Sequence, residues 1–207
     1  LQDTEGSFNI AIGDLALSEN YIEGSGNTAI GSKAMRHNYS GYYNTAVGFE
    51  SMLSNSEGTH NSAFGTHSLF SNTTGSENTA IGSGALNGNK TGSLNVGLGV
   101  DALLLNSSGD ANIAIGNDAL SGNSTGSQNV AIGNSALTAH SYGDRNTALG
   151  YEAMSNSSAG YSNIGIGYQA MYNNVGGGIN IALGQEALYS NALGEGNIAI
   201  GASSLLT

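Results

Sequence analysis

Few residues in this sequence have chemistry to offer, and each has a structural competitor. Gly122-Asn-Ser-Thr-Gly126 matches the G-x-S-x-G nucleophile elbow, in which a strained turn exposes a serine to an adjacent base. His37, His60, His67 and His140 are the histidines available as base or metal ligand. With no Cys anywhere, thiolate chemistry, thiolate metal sites and disulfides are absent from the choices. Five acids, Glu50, Asp101, Asp118, Glu152 and Glu186, recur at one sequence interval, and close carboxylates can recruit a cation. Six of the ten tyrosines crowd the last third: Tyr142, Tyr151, Tyr161, Tyr168, Tyr172 and Tyr189. Tyr39, Tyr42 and Tyr43 form a second group. Exposed rings beside Asn, Gln and acids suit sugar binding, because an amphipathic ring offers a flat apolar face and a polar rim.

The elements that must position these groups follow from a repeat, which has to be sought before any other pattern. The Asn preceding each small apolar run falls at 9, 27, 44, 61, 78, 95, 112, 129, 146, 163, 180 and 197. The first interval is 18 residues and the next ten are 17. Residues 1–5 read as a lead-in and residues 6–207 as one array of twelve units, the last one short.

Counting from the opening Gly, as in Gly75 through Thr91, position 1 is always Gly, position 4 Asn and position 8 Gly. Position 6 is Ala except at Gly97 and Gly165, and position 7 is always large and apolar. Position 11 is Ala or Ser, position 12 Leu or Met, and position 15 Asn except at His140 and Ser157. Charge is confined almost entirely to the variable positions. A unit this small cannot bury a core alone and must stack on its neighbours.

The Asn-Thr-Ala-Ile-Gly run at positions 4–8 is β-branched and bounded by Gly, which predicts a short strand. Positions 9–15, the xxAL segment, suit a turn, one helical turn or a second short strand. The expected fold is all-β: a parallel β-solenoid (β-roll) of twelve 17-residue coils. At a strand spacing of about 4.8 Å it is a rod of roughly 55 Å. The absence of Pro fits, since each coil must donate ladder hydrogen bonds. The Asn of positions 4 and 15 are expected to form amide ladders.

Alternation puts positions 4, 6 and 8 on one face and positions 5 and 7 on the other. Position 7, with the Leu or Met of position 12, reads as the core. The invariant Asn-Ala-Gly face then fits either a very narrow interior or close packing against another chain. Two buried faces on so thin a coil predict lateral association, as a homotrimer.

The same register reassesses the chemistry. The elbow motif falls on the bend between units, where Gly and Ser recur for structural reasons. The four histidines occupy four different positions, so stacking builds no metal column or His–acid relay. Among the five acids, which all hold position 10, only Asp101 and Asp118 are on adjacent coils, and a solvated edge that discourages aggregation explains them without a metal. Sequons occur at Asn38, Asn72, Asn89, Asn106, Asn123 and Asn156, all but the last at the position-15 ladder. Tyr151 and Tyr168 share position 9, and Tyr172 and Tyr189 share position 13. These four are the glycan-binding candidates, against the competing reading that ring ladders only stabilise neighbouring coils. No catalytic residue, metal or cofactor is expected.

Asn78-Thr-Ala-Ile-Gly82 and Gly143-Asp-Arg-Asn-Thr-Ala-Leu-Gly-Tyr-Glu-Ala-Met154 resemble the NTAIGxxAL repeats of phage and bacterial fibre proteins. These often lie upstream of an endosialidase-type chaperone domain. They are also similar to the shorter repeats of YadA-like trimeric adhesin heads, which are parallel β-rolls, and the period here is longer. The resemblance covers residues 6–207 and implies a trimeric shaft or head on a virion or bacterial surface, without naming a target.

Composition narrows the alternatives. Fifteen acids against four bases, a net charge of −11, leave too little positive charge to neutralise a phosphate lattice. No apolar stretch reaches the roughly 18 residues of a membrane span. Two further readings stay open. One is a filament whose coil ends stack head to tail, suggested by a start without Met and a short twelfth unit with no polar cap. The other is an ice-binding solenoid, for which the Thr array of position 5 is interrupted too often.

Overall fold

The computed structural model describes residues 6–20 and 24–206, so the lead-in assigned to residues 1–5 lies outside the described residues. Among them are twelve strands of three residues and no helix, from β1 (Ile10–Ile12) to β12 (Ile198–Ile200). Each strand occupies positions 5–7 of its unit. All twelve pair in sequence order in one parallel sheet. Register is strict: Thr28 faces Thr45, Ala46 faces Ala63 and Ile113 faces Val130. One coil per unit and one strand per coil give the parallel β-solenoid that the period predicts.

Three corners close each coil. Positions 3, 10 and 12 take left-handed backbone angles throughout, as in Glu77 (φ 59°), Asp101 (φ 55°) and Leu103 (φ 55°). Such angles are uncommon for residues with a Cβ and are unavailable to a right-handed helical turn. The xxAL segment is therefore a turn. Its corners are held from both sides by backbone bonds to adjacent coils, such as Asp101 N to the Ser83 carbonyl (2.9 Å) and Leu103 N to the Ala119 carbonyl (3.0 Å).

The interior holds the Ala of position 6, the Ala or Ser of position 11, the Leu or Met of position 12 and the two Asn columns, nearly all fully buried. The expectation that position 7 joins this core is overturned. Ile81 is 44% exposed and Ile200 69%, and position 5 is half-exposed beside it. Volume decides the orientation. At Gly165, a Cβ would lie 2.8 Å from Cγ of Met154, so the position-12 side chain already reaches across to the strand. Position 6 takes nothing larger than Ala, and at Gly165 even a Cβ would require Met154 to move, so the β-branched residues point outward. The Asn and Ala of the Asn-Ala-Gly face line a narrow interior, and the position-8 Gly lies at its partly exposed edge.

The amide ladders form as expected. Asn44 N donates to Asn27 Oδ1 (2.9 Å), and Asn61 N to Asn44 Oδ1 (2.9 Å), one coil after another. In the position-15 column, Asn55 Nδ2 donates to Asn38 Oδ1 (2.8 Å) and Asn72 Nδ2 to Asn55 Oδ1 (2.7 Å). Both columns converge on the position-1 carbonyl: Gly58 O accepts from Asn44 Nδ2 (2.8 Å) and Asn55 Nδ2 (2.9 Å). Buried amides are tolerable in so thin a core because each finds partners.

Candidate functional site

The tyrosine columns converge with the acids in the coils that contain residues 143–206. Backbone bonds fix their spacing. Gln169 N donates to the Tyr151 carbonyl (3.0 Å) and Glu186 N to the Tyr168 carbonyl (2.8 Å). Asn156 N donates to the Tyr172 carbonyl (2.9 Å) and Asn173 N to the Tyr189 carbonyl (2.8 Å). The rings of Tyr151 and Tyr168 stack with centroids 5.8 Å apart and planes 6° from parallel. Tyr172 and Tyr189 stack at 5.2 Å and 7°. Stacking holds each ring in place, and Tyr151 and Tyr168 remain 50% and 46% exposed.

Glu152, Gln169 and Glu186 of position 10 occur in the same three coils. The turn brings positions 10 and 13 together in several coils, as in the bond from Ser155 N to the Glu152 carbonyl (3.2 Å), and Glu186 and Tyr189 line one cavity. Gln169 Nε2 donates to Glu152 Oε2 (2.6 Å) and Gln185 Nε2 to Glu186 Oε1 (3.3 Å). The Glu152 carboxylate, through a hydrogen bond and then its charge, raises the pKa of the Tyr151 hydroxyl, and the nearby hydroxyls of Tyr168 and Tyr172 add to this. A cavity of about 370 Å³ is lined by Gln169, Glu186, Tyr189, Ser190 and Leu206. All four candidate tyrosines thus fall into two stacked pairs, and the second pair contributes Tyr189 to the cavity. Acids and a Gln beside the rings are as expected, but the part played by the position-10 column as a whole was not anticipated. Its signal was the three-residue offset between positions 10 and 13, which only a tight turn converts into contact.

The other aromatic group differs. Tyr42 and Tyr43 meet edge-on (5.5 Å, 84°), and His60 packs against both at 5.7 Å and 5.3 Å. A Cβ at Gly26 would lie 2.7 Å from the Tyr43 ring, so that ring is seated against the adjacent coil. Tyr161 similarly covers Gly178, and its hydroxyl donates to Glu195 Oε1 (3.2 Å), whose charge raises the hydroxyl's pKa.

The remaining chemistry-bearing residues are held in structural roles. In the elbow motif, Asn123 is a ladder member, donating to Asn106 Oδ1 (2.7 Å) and to Gly126 O (2.9 Å). His140, stacked on Asn123, is buried with its ring nitrogens 2.9 Å and 2.8 Å from the Ser157 and Gly143 carbonyls. His37 and Arg36 both bond Glu19 (2.6 and 3.2 Å), and Lys33 and His67 bond Glu50 (2.9 and 3.2 Å). Glu19 is held below the usual 4.5, first by the hydrogen bond from His37; Glu50 is lowered first by the bond from Lys33. Asp101 leans over Gly84 on the preceding coil, while Asp118 accepts from Asn117 Nδ2. Among the described residues no cluster of three or more His, Asp or Glu is placed to hold a metal. The five ladder sequons are buried, whereas Asn156 is exposed and donates to Asn173 Oδ1 (2.8 Å).

No described helix is long and apolar enough to cross a membrane. Comparison with known protein families, with curated proteins and with solved structures finds no match to this chain.

Proposed function

We propose that the chain is a structural and adhesive segment of an extracellular or virion fibre, a rigid solenoid shaft or head that assembles as a homotrimer and presents a surface for attachment. The supporting observation is the outward face of the sheet. Positions 5 and 7 form two half-exposed columns running from Ile10 and Ile12 to Ile198 and Ile200. The strip is roughly 50 Å long and two side chains wide, longer than the apolar patches of ordinary monomers. Its strands are in strict parallel register and rich in Ile, Val and Thr, so copies can meet without rearranging. Two columns per chain offer one to each of two neighbours about a threefold axis, and the threefold number itself comes from the likeness of the repeats to trimeric fibres. A fibre on a virion tail or cell surface is the location that same likeness supports.

Light scattering after size exclusion, over a concentration series, tests this. The expected result is a fixed mass of three 20.8 kDa chains. Mass that grows with concentration would favour end-to-end filaments. A stable monomer would overturn lateral assembly and make thermal hysteresis the next measurement, because the same face would then meet water or ice.

A further inference from the structure

We infer that the cavity beside Tyr189 binds a neutral saccharide, with Gln169 and Glu186 as hydrogen-bonding groups for its hydroxyls and the Tyr189 ring, stacked on Tyr172, as its apolar wall. The proposal rests on the attachment reading above and gives it a ligand class.

Three features of the site lead to this class. First, the wall is pre-organised: the Tyr189 ring is stacked on Tyr172, with backbone positions pinned by the ladder, so little side-chain freedom is lost on binding. A pyranose has an apolar C–H face that such rings accept and a rim of hydroxyls that they do not satisfy. Second, a carboxylate and an amide stand beside the ring. A carboxylate accepts two hydroxyl donors side by side, and a Gln both donates and accepts, which matches a vicinal diol better than an apolar ligand. Glu186 already takes a hydroxyl, from Ser203 Oγ at 3.4 Å, a long contact that a sugar hydroxyl can replace. Third, the cavity, at about 370 Å³, lies in the range of small-molecule sites.

Charge sets the selectivity. The Glu186 carboxylate in the cavity, with Glu152 two coils before it and a net charge of −11, disfavours sialylated, sulfated or uronic-acid sugars. Of the four Lys and Arg, only Arg145 belongs to these coils. It sits at position 3, before strand β9 (Thr147–Leu149), whereas the tyrosines and acids follow the strand.

The test is saturation-transfer NMR and calorimetry on the intact chain. The probes are lactose, maltose and diacetylchitobiose, with sialyllactose as the anionic comparison. Expected is saturable binding of at least one neutral disaccharide, with sialyllactose weaker. Loss of one charged hydrogen bond in Glu186→Gln should weaken it roughly tenfold. Tyr189→Ala should do the same by removing a wall, and Tyr42→Ala, in the distant aromatic group, should leave affinity unchanged. The near-isosteric Glu186→Gln keeps the test valid if a tyrosine variant fails to fold. No saturable neutral sugar, tighter binding of sialyllactose, or equal loss in Tyr42→Ala would each overturn the site. Mass by light scattering is read on the same samples, so failure of the saccharide site and failure of trimeric assembly are distinguishable.

Discussion

At the scale of single residues, the position-15 column contains its own defect. Every Asn in it passes an Nδ2–H to the preceding Oδ1, until His140 and Ser157 interrupt the run. The imidazole lies between the Ser157 and Gly143 carbonyls and gives nothing to the coil before it. Asn123 Oδ1 and Ser157 Oγ are consequently buried without a partner. A buried unpaired polar atom costs about 1–3 kcal/mol. The double substitution His140→Asn with Ser157→Asn should therefore raise stability by about that amount, read as a higher urea midpoint at unchanged slope. No gain would mean that the interruption is compensated elsewhere. The Asn pattern made both ladders readable in advance, and its two exceptions were visible; which atoms those exceptions orphan depends on donor geometry that one-letter identity does not carry.

At the scale of the coil, one glycine column decides how closely neighbours stack. Gly116 has φ +132°, and a Cβ there would meet the Gly133 carbonyl at 2.6 Å. Backbone cannot step aside as a side chain can. Gly116→Ala should cost on the order of 3 kcal/mol through strain and lost pairing between β7 (Ile113–Ile115) and β8 (Val130–Ile132), detected as faster amide exchange confined to those coils. A second device ties the early coils together through Glu19 and Glu50. Both carboxyls sit below the usual 4.5 when folded, so the unfolded chain takes up their protons first. Their contribution is present above about pH 4.5 and is lost as pH falls through the lower folded values. Glu50→Gln should be slightly less stable than the parent at neutral pH, and the difference should close on acidification below that point. A constant difference from neutral pH to pH 3 would rule the linkage out. The coil also explains an error of orientation: Ile81 and its equivalents look like core by hydrophobicity alone. The space opposite Ala80 is already filled by the position-12 side chains, and cross-sectional volume is not written in a periodic pattern. The tyrosine columns were legible because equal positions must stack, whereas the part played by the position-10 column required the shape of the turn.

At the scale of the whole molecule, the closed interior and the outward columns of positions 5 and 7 divide the labour between folding and the proposed assembly. Apart from a few atoms such as Asn123 Oδ1, the buried polar groups are satisfied within one chain, so the proposed lateral association needs only the outer columns. Replacing Ile115 and Ile132 together with Lys, in mid-strip, should abolish the proposed trimer while leaving the parallel sheet intact. The measurement is mass by light scattering beside an unchanged circular dichroism spectrum. A charged pair buried without partners costs several kcal/mol per chain, enough to release weakly held copies. Retention of the trimer would move the interface to another face.

The direction of the hydrogen bonds has a mechanical consequence. Backbone and amide bonds both run from coil to coil, along the axis of the rod. Tension applied to its two ends therefore pulls these bonds straight apart, one rung at a time, instead of shearing a whole sheet together. Each released rung pays out about 55 Å of chain at the extended reach of some 3.3 Å per residue. Under load the rod behaves as a coiled tether with regular slack, lengthening in nearly equal steps where a globular domain gives way in one.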